Sequence, residues 1–326
     1  REKMPRFHVG ESLMPEVYWT LSRLGVLEKM QQSDFVRKVS VQFVSHKGKE
    51  SQPFFFDEHD PRECSRTWHV ERAAFDQMLF ENAAEKGAES IDDTRVLNVS
   101  LNSDQEHDVK LQRPDGVAQH VRGRVVVDAT GQSALLANRK GLREDNAKLR
   151  KAAIWGHFSG AERCADSERN TTAILHTSDK KSWFWYIPLA NDIVSVGVVA
   201  DNDYLLKGRG NPAETFREEV AKCRIVQQRL EQAVYPTDLH VAKEFSYSTR
   251  QHAGPGWVLV GDAFGFIDPI YSSGVFLAFR SGEAAADAIV EGLQKNDLSG
   301  EQLGGWTDEF LRGAALIRKL VHAFYT

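Results

Sequence analysis

Gly256-Trp-Val-Leu-Val-Gly-Asp-Ala-Phe-Gly-Phe-Ile-Asp-Pro-Ile-Tyr-Ser-Ser-Gly-Val-Phe-Leu-Ala278 decides how this chain is read. Trp257 to Val260 is a short apolar run, which predicts a buried strand. Gly261-Asp262 ends it in a turn whose carboxylate suits sugar or polyol hydroxyls. Gly265, Asp268 and Pro269 predict an irregular connection. Ser272-Ser273-Gly274 then caps an Ala-rich helix from Val275 to about Leu293. A helix N-terminus offers unbonded N–H groups and partial positive charge, which suits an anion or an electron-rich ring edge. Strand, acidic turn and helix start together predict a small-molecule cradle. A plain connector has no need of two glycines, an Asp and a Pro.

Upstream, Gly123-Arg-Val-Val-Val-Asp-Ala-Thr-Gly131 is a β-branched run closed by a Gly-containing turn, with a helix predicted over Ser133–Lys140. A parallel strand feeding such a turn is the mark of a doubly wound α/β sheet. Trp68 opens a helix running to about Ala84, preceded by a helix from Val17 to Met30 with Trp19, Leu21, Leu24 and Leu27 near helical spacing. Strands follow around Arg95 and His107, and Arg113-Pro-Asp-Gly turns into the next. Four runs predict an antiparallel meander inserted into the α/β frame: Ala152–Phe158, Thr171–His176, Ser182–Pro188 and Ile193–Val199. Asn211-Pro-Ala-Glu214 predicts a capped helix to about Ala233. Thr307–Tyr325 reads as a further amphipathic helix. In Phe35–Ser45, Val39, Val41 and Phe43 alternate with Lys38, Ser40 and Gln42, which predicts one strand with a polar face. That face either lines a cavity, which makes Lys38 a candidate, or meets solvent.

With 326 residues the chain can hold one large or two medium domains. A net charge of −5 without a basic cluster argues against nucleic acid or an anionic membrane surface as partner. Cys64, Cys164 and Cys223 lack paired spacing, so neither a disulfide framework nor a metal site is expected, and reduced thiols in the cytosol are the default.

Three segments carry a family resemblance. Gly261-Asp262-Ala263 after a strand resembles the second FAD signature of the p-hydroxybenzoate hydroxylase-type flavoproteins. The longer wording, through Asp268-Pro269 to Ser272-Ser273-Gly274-Val275, looks like flavin-dependent halogenases and their geranylgeranyl-reductase-like relatives. Trp183-Phe-Trp-Tyr-Ile-Pro188 matches Trp-x-Trp-x-Ile-Pro, which separates the halogenases from related monooxygenases, and Gly10-Glu-Ser-x-x-Pro15 matches the same group. The resemblance implies a two-dinucleotide-binding-fold FAD domain (1–36, 66–148 and 244–298), an inserted antiparallel-sheet substrate domain (37–65 and 149–243) and the start of a helical region (299–326). It also implies that roughly 35 residues, one strand–turn–helix–strand unit with the glycine-rich turn, precede the quoted sequence.

The same resemblance implies residue roles. Asp262, with Gly261, would hold the ribityl chain, Arg72 the phosphates, and Pro269 the turn under the flavin ring. Ser12, in the Gly10–Pro15 loop, and Gly274 would lie close to that ring. A halide, chloride or bromide, would sit on the N–H groups of Ser273 and Gly274. A flavin reductase would supply reduced FAD, and O2 would give a flavin hydroperoxide, then hypohalous acid. Trp183 and Trp185, with Ile187 and Pro188, would wall the oxidant from the organic substrate. A lysine, at Lys38 or at the Gln42 position, would assist chlorination. Tyr271 stands where tryptophan halogenases carry a Glu, so the expected substrate is a self-activated ring, a phenol or pyrrole, free or tethered to a carrier protein. The alternatives are an FAD-dependent monooxygenase, an isoprenoid reductase of the same fold, or a flavin-binding fragment without turnover.

Overall fold

The computed structural model describes residues 2–102, 106–163, 170–243 and 246–326; Cys164 lies outside them. The chain divides into two compact units, Arg1–His8 with Arg72–Asp145 and Tyr247–Thr326, and Val9–Glu71 with Asn146–Ser246. Several expected boundaries move. Residues 9–36 and 66–71 pack in the second unit, and 299–326 belong to the first. The reason for the first shift is visible in helix Val17–Leu24, which buries Val17, Tyr18 and Leu21 and sends the Tyr18 hydroxyl to Glu63 at 2.5 Å.

In the first unit, Trp257–Leu259 pairs in parallel with Val126–Asp128 and antiparallel with Ala253–Gly254. The apolar run at Trp257 and the β-branched run at Val126 are thus adjacent parallel strands. Asp128 ends its strand by accepting from the backbone N–H and hydroxyl of Thr130 and the N–H of Leu136, which shapes the turn into helix Leu135–Arg139. Arg95–Ser100, His107–Gln112 and Ala118–Gly123 form a separate antiparallel sheet. The long helix runs Ser273–Lys295, starting two residues before the expected Val275, and Thr307–Tyr325 is helical as predicted. Phe264 packs against Trp306 and Phe310, with ring centroids 5.7 and 5.0 Å away.

The second unit is built on a seven-stranded sheet. Its strands lie in the order His240–Lys243, Lys151–Ser159, Ile193–Asp201, Ser182–Pro188, Thr171–His176, Ser40–Val44, Phe54–Phe55. The expected meander holds for the three consecutive strands from Thr171 to Asp201. Lys151–Ser159 instead joins beyond Ile193–Asp201, and Thr171–His176 pairs in parallel with Ser40–Val44. One face carries the core: Ile154, Phe158, Phe184, Tyr186, Val196 and Val198 meet Phe216, Val220 and Val226 from the helices Pro212–Val220 and Arg224–Arg229. Asn211 caps the first of these in a full capping box with Glu214; Cys223 then breaks the single helix expected. The helix expected over 17–30 is likewise two, Val17–Leu24 and Leu27–Gln32, because Gly25 closes the first.

Two further expectations are corrected. Phe35–Ser45 is not one strand. Val36–Lys38 pairs with Thr67–His69, whereas Ser40–Val44 joins the large sheet, so Lys38 does not share a sheet face with Ser40 and Gln42. That pairing makes Trp68 a strand residue, and the helix begins at Arg72.

The sheet's second face carries Trp155, His157, Ser195, Gly197, Trp183, Trp185 and Ile187. Gly197 lies between Trp155 and Trp185 in register. A Cβ there would stand 2.2 Å from Cζ2 of Trp185, so only glycine lets that indole lie on the sheet. Gly197→Ala should lower the free energy of unfolding by about 1–3 kcal/mol, the range for forced overpacking, measured by urea titration.

Candidate active site

In the first unit, Gly261 takes φ +57° with Ala278 Cβ 3.3 Å from where its own Cβ would be, bringing the strand end close to the long helix. The next residue, Asp262, is half-buried. Its backbone carbonyl accepts from the Tyr247 hydroxyl, but its carboxylate makes no hydrogen bond among the described residues. Burial pushes that carboxyl up to about 6, against the pull of the Arg72 guanidinium. A desolvated carboxylate with open lone pairs is the acceptor that polyol hydroxyls need. Arg72 has its fork on Asp76, Nε to Oδ1 at 2.8 Å and Nη2 to Oδ2 at 3.0 Å.

Ser272 takes φ +56° and makes no side-chain cap bond, so Ser273 and Gly274 open the helix without the expected hydroxyl cap. Their N–H groups therefore keep the anion-binding character of an uncapped first turn. Pro269 accepts from the Ser272 N–H at 2.9 Å, and Phe266 lies 3.2 Å from a Cβ at Gly274. Asp268, 1% exposed, holds the loop by accepting from the Ile270 N–H at 2.9 Å and the Tyr325 hydroxyl at 3.1 Å. It also raises the Tyr271 phenol, after burial. These features fit the FAD-binding segment that the resemblance implies.

In the second unit, Trp183 and Trp185 lie side by side with centroids 6.4 Å apart and planes at 57°. Both are buried, as are Ile187 and Pro188, and the Trp185 indole donates to Ser195 Oγ at 3.1 Å. Lys38 is 2% exposed, donates to the Leu13 carbonyl at 2.9 Å and lies 5.4 Å from the Phe56 ring. Burial pulls its ammonium down to about 7. The solvated-face alternative for Lys38, Ser40 and Gln42 fails, since all three are buried. Gln42 donates to the Ser51 carbonyl at 2.9 Å, which leaves Lys38 as the lysine candidate.

The loop Gly10–Leu13 is pinned at successive residues. Glu11 Oε1 meets His157 Nε2 at 2.9 Å, Ser12 Oγ meets Thr172 Oγ1 at 3.0 Å, and the Leu13 carbonyl accepts from the Lys38 ammonium. Thr172 also meets His69 Nε2 at 2.7 Å, and burial, with Lys38 beside it, keeps that imidazole well below its ordinary range. Glu11, His157, Thr172 and His69 were not singled out from the sequence. Their one signal is that Glu11 sits inside the flagged Gly-Glu-Ser wording, while the partners come from strands far away in the chain. Glu16, Asp60 and Cys64 place ligand atoms within 4.8 Å of one another, but Arg62 already binds both carboxylates, at 2.7 and 2.5 Å.

A model of the tryptophan halogenase family matches residues 54–326. The chain is 33% identical over 305 residues to a 1H-pyrrole-2-carbonyl-(peptidyl-carrier protein) brominase of Pseudoalteromonas luteoviolacea, covering 91% of this chain and 71% of that protein. It is 30% identical to a flavin-dependent halogenase of Pestalotiopsis fici, covering 88% of this chain but 57% of that protein. Among solved structures, the myxobacterial chondrochloren halogenase, an FAD-dependent enzyme, superposes with a TM-score of 0.91 at 26% identity, covering 100% of this chain and 75% of that one. The family match over most of the chain and the structural likeness agree with the Trp-x-Trp-x-Ile-Pro strand and the acidic turn: this chain belongs to the flavin-dependent halogenases, enzymes that use FAD, a halide and oxygen to halogenate aromatic rings.

Proposed function

We propose that this chain halogenates a self-activated ring, a phenol or a pyrrole, in the pyrrole case presented on a carrier protein, and that it receives reduced FAD from a separate reductase in the cytosol. The observation that carries the reading is Lys38, a lysine buried in the same unit as the paired indoles and pulled down to about 7. A lysine near neutrality both donates and accepts a proton at working pH, which suits passing a hypohalous acid to a ring. The carrier-protein part is supported by the brominase above and by a 1H-pyrrole-2-carbonyl-(peptidyl-carrier protein) chlorinase of Pseudomonas fluorescens, 29% identical over 92% of this chain. Among the described residues no helix is long and apolar enough to cross a membrane.

Bound FAD would supply the oxidising chemistry. The chain's own residues would do the rest. The Asp262 carboxylate would accept from ribityl hydroxyls, with Gly261 bringing the strand end close to the helix. Pro269 and Gly274 would shape the loop and Ser12 would hold its own loop. Arg72, oriented by Asp76, would face the phosphates. The N–H groups of Ser273 and Gly274 would hold the halide. Trp183, Trp185, Ile187 and Pro188 would exclude the organic substrate and water from the oxidant while a small acid passes. Tyr271 puts a phenol, not a base, at its own position, which favours a ring that is electron-rich to begin with.

Three outcomes test this. Lys38→Met should abolish halide incorporation while oxygen consumption with reduced FAD continues, measured by product mass and an oxygen electrode. The same variant should be more stable. Unfolded Lys38 keeps its proton to about 10.5 and folded Lys38 only to about 7, so the burial penalty is full below pH 7 and fades as pH rises toward 10.5. At pH 7 the gain should be roughly 2–4 kcal/mol by urea titration, with the Leu13 carbonyl left unbonded, and it should shrink at pH 9. Asp262→Asn should weaken flavin binding about 10- to 100-fold by fluorescence quenching, the value of hydrogen bonds to a charged group; unchanged binding would remove Asp262 from the site.

A further inference from the structure

Two buried polar atoms on the indole-bearing face of the second unit have no hydrogen-bond partner among the described residues, the Oε2 of Glu11 and the indole Nε1 of Trp155. One is an acceptor and the other a donor. Their residues are 1% and 7% exposed, so water does not serve them from outside. Such groups are costly, and a native fold rarely keeps one without a use.

Both belong to one side of the sheet, where His240 lies against the Trp155 ring and within electrostatic reach of Glu11. Trp155 and His157 alternate along Lys151–Ser159 and so project from one face, about 7 Å apart. His157 Nε2 holds Glu11 Oε1 at 2.9 Å, which sets the carboxylate over that face. Around them the surface is aromatic. Trp185 lies 6.2 Å and His240 5.5 Å from the Trp155 ring, and Gly197, between the two indoles in register, raises no side chain.

We propose that Glu11 Oε2 and Trp155 Nε1 form a recognition subsite for the aromatic substrate: the carboxylate receives a donor borne by the ring, and the indole N–H serves an acceptor next to it. Two ring types present this chemistry. A phenol does both with one oxygen. A pyrrole with a neighbouring carbonyl donates through its N–H and accepts through the carbonyl. In either case a donor held by a carboxylate sends electron density into the ring, which is what addition of an electrophilic halogen requires. The proposal rests on the halogenase reading and deepens it by giving the self-activated ring a place to be activated.

The test is calorimetric binding to the flavin-free full-length protein. The probes are resorcinol, its dimethyl ether, pyrrole-carboxamide and the N-methyl derivative of that amide. Resorcinol or pyrrole-carboxamide should bind, and its methylated partner should bind at least fivefold more weakly. Trp155→Phe and Glu11→Gln should each weaken the parent ring by roughly five- to tenfold and leave the methylated one unchanged. Preference for resorcinol assigns a phenol, preference for the amide a pyrrole. Equal binding of methylated and unmethylated rings, unchanged binding in both variants, or binding of none of the four overturns the subsite. If Glu11→Gln does not fold, Trp155→Phe decides alone. Halide-dependent product from the flavin-loaded wild type, alongside unchanged binding in the variants, removes the subsite and keeps the halogenase reading. No such product with the binding pattern intact does the reverse.

Discussion

An ammonium group taken out of water with one carbonyl to hold it is the constraint on which the second unit depends. Lys38 has the Leu13 carbonyl and the edge of the Phe56 environment, and little else. Desolvation of a charge in such a place costs several kcal/mol, and the group answers by moving toward neutrality. A packed core would gain by replacing it with a hydrocarbon side chain. Lys38 instead keeps its ammonium end among polar contacts that fix its position. Ser12, Thr172 and His69 form one linked set beside it, and His69 is kept neutral by the same burial.

The two faces of the seven-stranded sheet divide structure from chemistry. One face is an aliphatic and aromatic core closed by helices, with Phe158, Phe184 and Phe216 stacked or edge-on within it. At its margin a buried Glu219 is matched by Arg209 at 2.9 Å, Lys222 at 2.8 Å and the Ser182 hydroxyl at 2.7 Å, so its charge is satisfied. The other face carries indoles and imidazoles, and Glu11 meets it through His157, its Oε2 without a partner among the described residues. Because strand residues alternate, one strand, Ser182–Pro188, serves both: Phe184 and Tyr186 build the core, while Trp183, Trp185 and Ile187 build the wall. The same seven-residue segment thus feeds the core on one side and the indole pair on the other, and Gly197, by raising no side chain, makes room for the Trp185 ring.

In the first unit the design is the reverse. A carboxylate at a strand end, Asp128, is fully used in shaping a turn, with three donors on it. The carboxylate at the neighbouring strand end, Asp262, is left open and raised toward 6. Asp128 pairs with Leu259 at the end of its strand, and Asp262 follows three residues beyond Leu259, so the two acids near one sheet end differ both in position and in hydrogen bonding.

Local chemistry was legible from the residues alone. The two strands at Val126 and Trp257 taken singly, the long helix after the Ser-Ser-Gly turn, the capping box at Asn211 and the indole pair on one strand face follow from periodicity, turn residues and caps, which act within a few positions. Family membership was carried by short motifs at Gly10, Trp183 and Asp262. What no local rule could supply was long-range pairing. Whether Phe35–Ser45 is one strand or two was decided by Thr67–His69 and Thr171–His176, the competing partners on either side of Val39. That choice buried Lys38, and it set Glu11 against His157, 146 positions away. Desolvation and unmatched hydrogen bonds belong to the packed environment rather than to any residue type, so the protonation of Lys38 and Asp262, and the openness of Glu11 and Trp155, exist only once the chain has folded.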